Sequence, residues 1–187
     1  MSPEGNFEEQ KSSERAALKK AGRIWSEGNL FHVFKRWAVK KDGQRIDRLP
    51  EIFKRGLIPP LLDGESKVTS DIRFEVKGTS QPYHSVVFLH RFDQNISYLY
   101  IPHSPESLCV FIDRKFPVLT IEQMGDWPKC SIDEVYSTKI IPPERFIGLA
   151  VPDRVAKDIH EEFKGEFYRL GIPLYDLSGK LIWPSKR

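Results

Sequence analysis

The sequence predicts one α+β domain, on three observations. Helical spacing of apolar residues is confined to segments near the two ends of the chain. Short apolar runs bounded by Pro, Gly and Ser fill the middle, as expected for strands joined by turns. The 187 residues show neither an internal repeat nor a second block of composition. We therefore expect one α+β domain rather than βαβ winding.

The first third of the chain predicts one helix and one strand. Residues 1–11 are polar and are interpreted as a flexible tail, so that residues 12–187 form the domain. A helix is expected to start at Ser12 and to end before Gly28. The apolar run at 29–34 predicts a strand. The charged residues that follow, through Gly43, predict a connection.

A short second helix is predicted at residues 47–55. Asp47 is a candidate N-cap, Pro50 lies in the first turn, and Gly56 is placed to end the helix. Residues 61–82 predict a long loop with one edge strand at 72–76.

The remainder of the chain predicts strands, a long helix and a hairpin. The strand candidates are 84–89, 98–101, 107–113, 118–121, 134–141 and 146–151. From Asp153 to Gly171 apolar residues recur at helical spacing. Residues 172–184 predict a hairpin with its turn near Gly179.

Composition limits the class of protein. With 40% hydrophobic and 29% charged residues the chain is globular, and its net charge of +3 neither requires nor excludes a nucleic-acid partner. No apolar run approaches the ~20 residues of a membrane span, and the polar start has no apolar signal region, so a cytoplasmic location is expected. Cys109 and Cys130 lack metal-site spacing, and Cys109 is expected in the core.

Four segments carry a resemblance through their order. They are Leu-Phe-His-Val-Phe (30–34), Leu-Pro-Glu-Ile-Phe-Lys-Arg-Gly-Leu-Ile-Pro (49–59), Ser-Val-Val-Phe-Leu (85–89) and Asp-Glu-Val-Tyr-Ser-Thr-Lys-Ile-Ile-Pro-Pro-Glu-Arg-Phe-Ile (133–147). Residues 29–151 thereby resemble the ADP-ribosyltransferase superfamily, nearest to its DarT-like branch of DNA-modifying toxins. The resemblance implies a split, bent β-sheet with flanking helices, and a mono-ADP-ribosyltransferase that uses NAD.

The resemblance also implies residue roles. Glu134, at the start of a late strand, would stabilise the oxocarbenium-like state as nicotinamide leaves, because a carboxylate opposes developing positive charge. His32, on the first strand, would bind an NAD ribose or carry the backbone that does so. These roles require His32 and Glu134 to face one cleft; side chains on opposite faces of the sheet would contradict this pair of roles.

Further cofactor contacts are expected from an arginine and a tyrosine. Arg73 in the long loop would meet the pyrophosphate, since a guanidinium fork matches phosphate oxygens. A tyrosine that stacks on nicotinamide is implied by the resemblance, and Tyr83, Tyr98 and Tyr100 are the candidates.

The acceptor is predicted from charge. Basic residues in the first third favour DNA or RNA, with protein as second choice; the nucleic-acid candidates are Lys35, Arg36, Lys40 and Lys41. Members that modify arginine usually carry Glu or Gln two residues before the catalytic Glu. Ile132 stands there, which argues against an arginine acceptor.

Simpler interpretations stay open beside these. His32 fits a core histidine, Glu134 a solvent-facing residue at a strand start, and Arg73 a surface charge. At the level of function, the alternatives are an inactive relative that binds nucleic acid or protein, and an RNA 2′-phosphotransferase of the same fold. No metal site is expected.

Overall fold

The computed structural model describes residues 3–39, 42–59, 74–80, 83–92, 107–124 and 134–184. In this part of the chain four helices accompany a mixed seven-stranded sheet and two small two-stranded sheets, which confirms the α+β prediction. The helices are α1 (Pro3–Ala21), α2 (Leu49–Arg55), α3 (Asp153–Glu162) and α4 (Lys164–Leu170). The strands are β1 (Leu30–Lys35), β2 (Trp37–Val39), β3 (Arg45–Asp47), β4 (Phe74–Glu75), β5 (Tyr83–His84), β6 (Val87–Arg91), β7 (Ser107–Ile112), β8 (Glu134–Ser137), β9 (Phe146–Val151), β10 (Leu174–Asp176) and β11 (Leu181–Trp183).

The large sheet consists of two parts with a short junction. Its strand order is β11-β10-β9-β7-β1-β6-β8, and only β9 and β10 are parallel. β1 pairs with β7 along its whole length, but with β6 only at Leu30↔Arg91 and Phe31↔His90. Beyond Phe31 the ladder between β1 and β6 stops, and we call this stretch without ladder pairing the opening. This division agrees with the split sheet that the resemblance implies; the bend stays a prediction.

Each face of the sheet has its own apolar cover. On one face, Leu30 and Phe34 of β1 belong to the main core, to which α2, α3 and α4 all contribute buried residues. On the other face, Phe31 packs with Phe111 and with Ile24, which follows α1. Because side chains alternate along a strand, odd and even residues of β1 lie on different faces.

Two of the predicted signals, Pro50 and Gly56, explain α2, whereas its N-cap is Arg48 and not the predicted Asp47. The Asp47 Oδ1 accepts a hydrogen bond from the Leu49 N–H at 3.0 Å, and Pro50 lies in the first turn. Gly56 ends the helix at φ 84°, ψ −161°, a region that is nearly restricted to glycine. Leu57 then exchanges backbone hydrogen bonds with Ile141.

Two differences concern the first third. The helix α1 begins at Pro3, not at Ser12, since Pro suits the first helical position and Glu8 pairs with Lys11 along the helix. The charged connection predicted through Gly43 contains β2 and the turn of the hairpin β2–β3, with Gly43 at φ 83°, and Asp47, predicted to begin the second helix, ends β3.

Other differences concern strand lengths and the last helix. At 118–121 there is one bridge, Leu119↔Tyr136, followed by a 3₁₀ turn, rather than a strand. The predicted edge strand is β4 and pairs with β5. The long final helix is α3 and α4, interrupted at Phe163, whose buried ring packs on Phe53 at 5.5 Å. The strand predicted at 98–101 lies outside the described residues.

Among the described helices, none combines the length and the hydropathy that a bilayer span requires.

Candidate functional site

Glu134 lies on the sheet beside the opening. It is the first residue of β8 and pairs with His90 of β6, which in turn pairs with Phe31 of β1. Directly paired residues share a face, so these three side chains form a row across the sheet. The Phe31 and His90 rings stack with centroids 5.3 Å apart. Glu134 is only 9% exposed, so its interpretation as a solvent-facing residue is wrong.

His32 occupies the opening itself. Its Nδ1 lies 2.7 Å from the Phe88 carbonyl oxygen, where a continued ladder between β1 and β6 would have placed a backbone N–H. A carbonyl oxygen only accepts, so Nδ1 carries the proton and donates. Burial, helped by the charges of Arg48 and His90, lowers the pKa of His32 to about 4. The ring is therefore neutral at pH 7, and Nε2 is a hydrogen-bond acceptor.

His32 and Glu134 do not share a face. Phe31 is the β1 residue in the row with Glu134. His32 is the next residue of the strand, so its side chain points to the opposite face of the sheet, the face that carries Phe34. The His32 and Phe34 rings stack at 6.0 Å with an angle of 9° between their planes. The expectation that both residues face one cleft is therefore wrong. His90 is the link between them, since it pairs with Glu134 and its charge acts on His32.

Arg48 is a site residue that the sequence did not single out. Its guanidinium carbon lies 5.8 Å from the centre of the Phe34 ring, and its charge acts on His32. In the described part of the chain no carboxylate is paired with this guanidinium. Burial of the guanidinium lowers the pKa of Arg48, although it stays charged at neutral pH. It is therefore available to an anion at the opening; in the sequence it was one arginine among many.

The other predicted cofactor contacts fall largely outside the described residues. Arg73, Tyr98 and Tyr100 all lie there. Tyr83 belongs to β5, where its backbone pairs with Glu75 of β4. The nicotinamide-stacking tyrosine and the role of Arg73 stay predictions.

The predicted nucleic-acid residues divide in a similar way. Arg36 holds Asp47 at 2.5 Å and Glu162 at 2.6 Å, so its charge is already balanced by two carboxylates. Arg36 and Arg45 also cover the Trp37 ring, each at 5.0 Å, which argues against base stacking there. Lys35 is exposed. The remaining candidates, Lys40 and Lys41, lie outside the described residues.

Metal and thiol chemistry find no support in the described residues. They contain no group of three or more His, Cys, Asp or Glu side chains that is arranged to hold a metal ion. Cys109 is a buried free thiol, as predicted for a core residue, and burial raises the pKa of Cys109 far above its ordinary value. A thiol held in its neutral form is a poor nucleophile.

Comparison with protein-family models, with curated proteins and with solved structures finds no match to this chain. The resemblance to the ADP-ribosyltransferase superfamily thus depends on the order of the four segments. Any function drawn from it is a proposal.

Proposed function

We propose that this protein is an NAD-dependent mono-ADP-ribosyltransferase whose acceptor is a nucleic acid, with protein as the alternative acceptor. One observation carries the proposal: Glu134 is buried at the start of β8, in a row that ends at the opening between β1 and β6. Ionisable side chains held in buried positions are concentrated at active sites.

The chemistry assigned to Glu134 is electrostatic. NAD supplies an ADP-ribosyl group whose bond from ribose C1′ to nicotinamide breaks, with the electron pair leaving on nicotinamide. The Glu134 carboxylate opposes the positive charge that develops on the ribose, and low exposure strengthens this interaction. An acceptor atom then forms the new bond to C1′ and gives up its proton. Glycosidases use a carboxylate on the same principle.

Arg48 and His32 lie at the opening but on the other face of the sheet from Glu134, so the three side chains do not form one cleft. On that face Arg48 has no carboxylate partner among the described residues, and a guanidinium fork matches phosphate oxygens. Neutral His32 directs its protonated Nδ1 to Phe88, so Nε2 can accept a hydrogen bond there. Because neither side chain is on the face of Glu134, we assign neither of them to the NAD molecule on which Glu134 acts.

The test is nicotinamide release from NAD by the purified chain, with and without single-stranded DNA or RNA, and transfer of radiolabel to the strand. Glu134→Gln keeps the size of the side chain and removes its charge; Glu134→Ala removes both. Glu144→Gln is the matched control, since Glu144 is an exposed carboxylate in the turn before β9. We expect both Glu134 variants to lose about 100-fold or more, and Glu144→Gln to match wild type.

Circular dichroism and thermal melting of each variant separate loss of activity from loss of fold. Nicotinamide release that survives in folded Glu134→Gln and Glu134→Ala would overturn the mechanism. A wild-type chain that neither binds nor consumes NAD would favour the inactive, binding-only alternative. Removal of a 2′-phosphate from RNA that persists without Glu134 would favour the phosphotransferase.

A further inference from the structure

A cleft of about 220 Å³ lies at the end of the sheet where β1 begins and β7 ends. Two segments supply its basic lining: the end of α1 with the residues that follow it, and the turn after β7. Four cations and one carboxylate, Asp113, are among the lining residues; the cations are Lys20, Arg23, Arg114 and Lys115.

Among the described residues that line this cleft, four cations stand against one carboxylate, which leaves an excess of three positive charges. Within the described residues Arg23, Arg114 and Lys115 take part in no ion pair. The Asp113 Oδ1 accepts the Lys115 backbone N–H at 2.8 Å, so this carboxylate shapes the turn. Lys20 donates from Nζ to the Leu170 carbonyl at 2.9 Å, which fixes its position without neutralising it. The cleft therefore attracts an anion.

Asn29 joins the two basic segments into one site. It is 5% exposed, and its Nδ2 donates to the carbonyl oxygens of Arg23 at 2.6 Å and of Ile24 at 3.2 Å. Its Oδ1 accepts the Arg114 backbone N–H at 3.4 Å. One buried amide thus orients both backbones that carry arginines. A site held in place in this way loses less entropy when it binds.

The cleft lies at the same end and on the same face of the sheet as Glu134. Leu30 pairs with Arg91 and with Ile112, and the row of Phe31, His90 and Glu134 is the next one along. The segment after α1 packs on Phe31 through Ile24, which places it on the Glu134 face. β6 alone separates β8 from β1, so the lateral distance between these strands is about 10 Å.

We propose that this cleft binds a phosphodiester group of the acceptor nucleic acid and so directs a nearby nucleotide towards Glu134. The acceptor role rests on the proposed function, whereas binding of the strand does not. Arginine forks and lysine ammonium groups recognise phosphate oxygens through charge and hydrogen bonds, and such contacts position a strand without reading its bases. Arg23, Arg114 and Lys115 are exposed residues of the lining.

The experiment measures fluorescence anisotropy of labelled oligothymidylate over a range of NaCl concentrations, without NAD. The variant Arg114→Gln/Lys115→Gln removes two charges from the cleft. Lys157→Gln/Lys164→Gln is the control, with the same change of charge on exposed residues of α3 and α4, which pack in the core of the opposite face. We expect the cleft variant to bind at least tenfold more weakly and its salt dependence to fall by about two released ions. The control is expected to bind like wild type.

Equal weakening in both double variants, or none in the cleft variant, would overturn the proposal. Inorganic phosphate, added at constant ionic strength, tests whether the cleft is instead a site for free anions. If the strand is the ligand, phosphate should displace it no better than chloride does. Efficient displacement by phosphate would count against the strand as the ligand. Labelled RNA and duplex DNA are compared in parallel to identify the preferred strand. Nicotinamide release without acceptor should stay unchanged in the cleft variant, so failure here is distinct from failure of Glu134.

Discussion

The His32 Nδ1 donates to the Phe88 carbonyl oxygen at 2.7 Å, at the point where the ladder between β1 and β6 has ended. A side chain thus takes the place of a backbone hydrogen bond and satisfies a carbonyl that the division of the sheet would leave unpaired. The opening beside Glu134 depends on this substitution, which links the fold to the proposed site.

This relationship predicts a pH dependence of stability. Burial lowers the pKa of folded His32 to about 4, while the unfolded imidazole titrates near 6.5. Between these values the unfolded state binds the proton and the folded state does not, so acid favours unfolding. We expect a loss of about 2 kcal/mol between pH 7 and pH 5 from this residue. Urea unfolding at each pH measures it.

His32→Asn is the control for that experiment. Its amide nitrogen stands near the position of Nδ1 and can still donate to Phe88, but it does not titrate. The other histidines contribute equally to both proteins, so the difference between the two curves isolates His32. Parallel curves for wild type and variant would show that His32 is not held neutral.

A second prediction concerns Gly56, at the end of α2. A Cβ there would overlap the Ile141 carbonyl oxygen, which accepts the Leu57 N–H at 3.0 Å, and φ is 84°. Gly43 has nearly the same φ, 83°, with nothing within 4 Å of a Cβ. We expect Gly43→Ala to cost about 1–2 kcal/mol from backbone strain alone, and Gly56→Ala at least ~2 kcal/mol more. Urea unfolding of both variants measures the difference; equal losses would exclude the steric effect.

A third prediction concerns Asp47, which serves two purposes. Its Oδ2 accepts hydrogen bonds from Arg36 Nε and Nη2, and its Oδ1 accepts the N–H of Leu49, the first residue of α2. Asp47→Ala loses both interactions, and we expect it to cost about 2–4 kcal/mol. Asp47→Asn retains an oxygen that can accept the Leu49 N–H and should cost less.

Glu162→Gln is the matched comparison for Asp47. Glu162 also binds Arg36, at 2.6 Å, but its side chain is 50% exposed, against 15% for Asp47. An exposed pair contributes about 1 kcal/mol or less, and salt screens it. Chemical unfolding with urea at low and high NaCl separates the two carboxylates. A larger loss in Glu162→Gln than in Asp47→Ala would contradict the assignment.

The strands of the sheet centre were predictable because burial on both faces leaves a continuous apolar run. β7 is buried at every residue, and β9 at all but one. The hairpin β2–β3 could not be predicted, because its strands are short. Its charged residues and those beside it find their partners only in the folded chain, as Arg36 does with Asp47. Apolar spacing alone also could not reveal the interruption at Phe163.

For the candidate site, the order of the segments singled out Glu134 and His32. The sequence alone could not show on which face of the sheet each side chain lies. That depends on the register of Phe31 with His90 and of His90 with Glu134, a non-local property. The sequence did not single out Arg48, because nothing in it distinguishes this arginine from the others. Only the fold places its guanidinium over Phe34.

A last prediction concerns the contact of Ile24 with the sheet. Gly148 of β9 lies where a Cβ would overlap Ile24 Cδ1, and both residues are buried. Gly148→Ala should therefore destabilise the protein by about 2–3 kcal/mol through overpacking. Gly165 occupies an exposed position of α4, with nothing within 4 Å of a Cβ. Gly165→Ala should therefore be neutral or stabilising by up to about 1 kcal/mol.

Ile24→Val tests whether that contact is the cause, because it removes Cδ1. Alone it should cost about 1 kcal/mol, as expected for a buried methyl group. In the double variant Gly148→Ala/Ile24→Val the new methyl group occupies the space that Cδ1 leaves, so the two losses should not add. Urea unfolding of the four proteins gives the coupling free energy, for which we expect at least ~1 kcal/mol in favour of the double variant. Simple additivity would mean that the strain at Gly148 arises from another neighbour, such as Pro173, whose Cγ lies 3.4 Å from the position that the new methyl group would take.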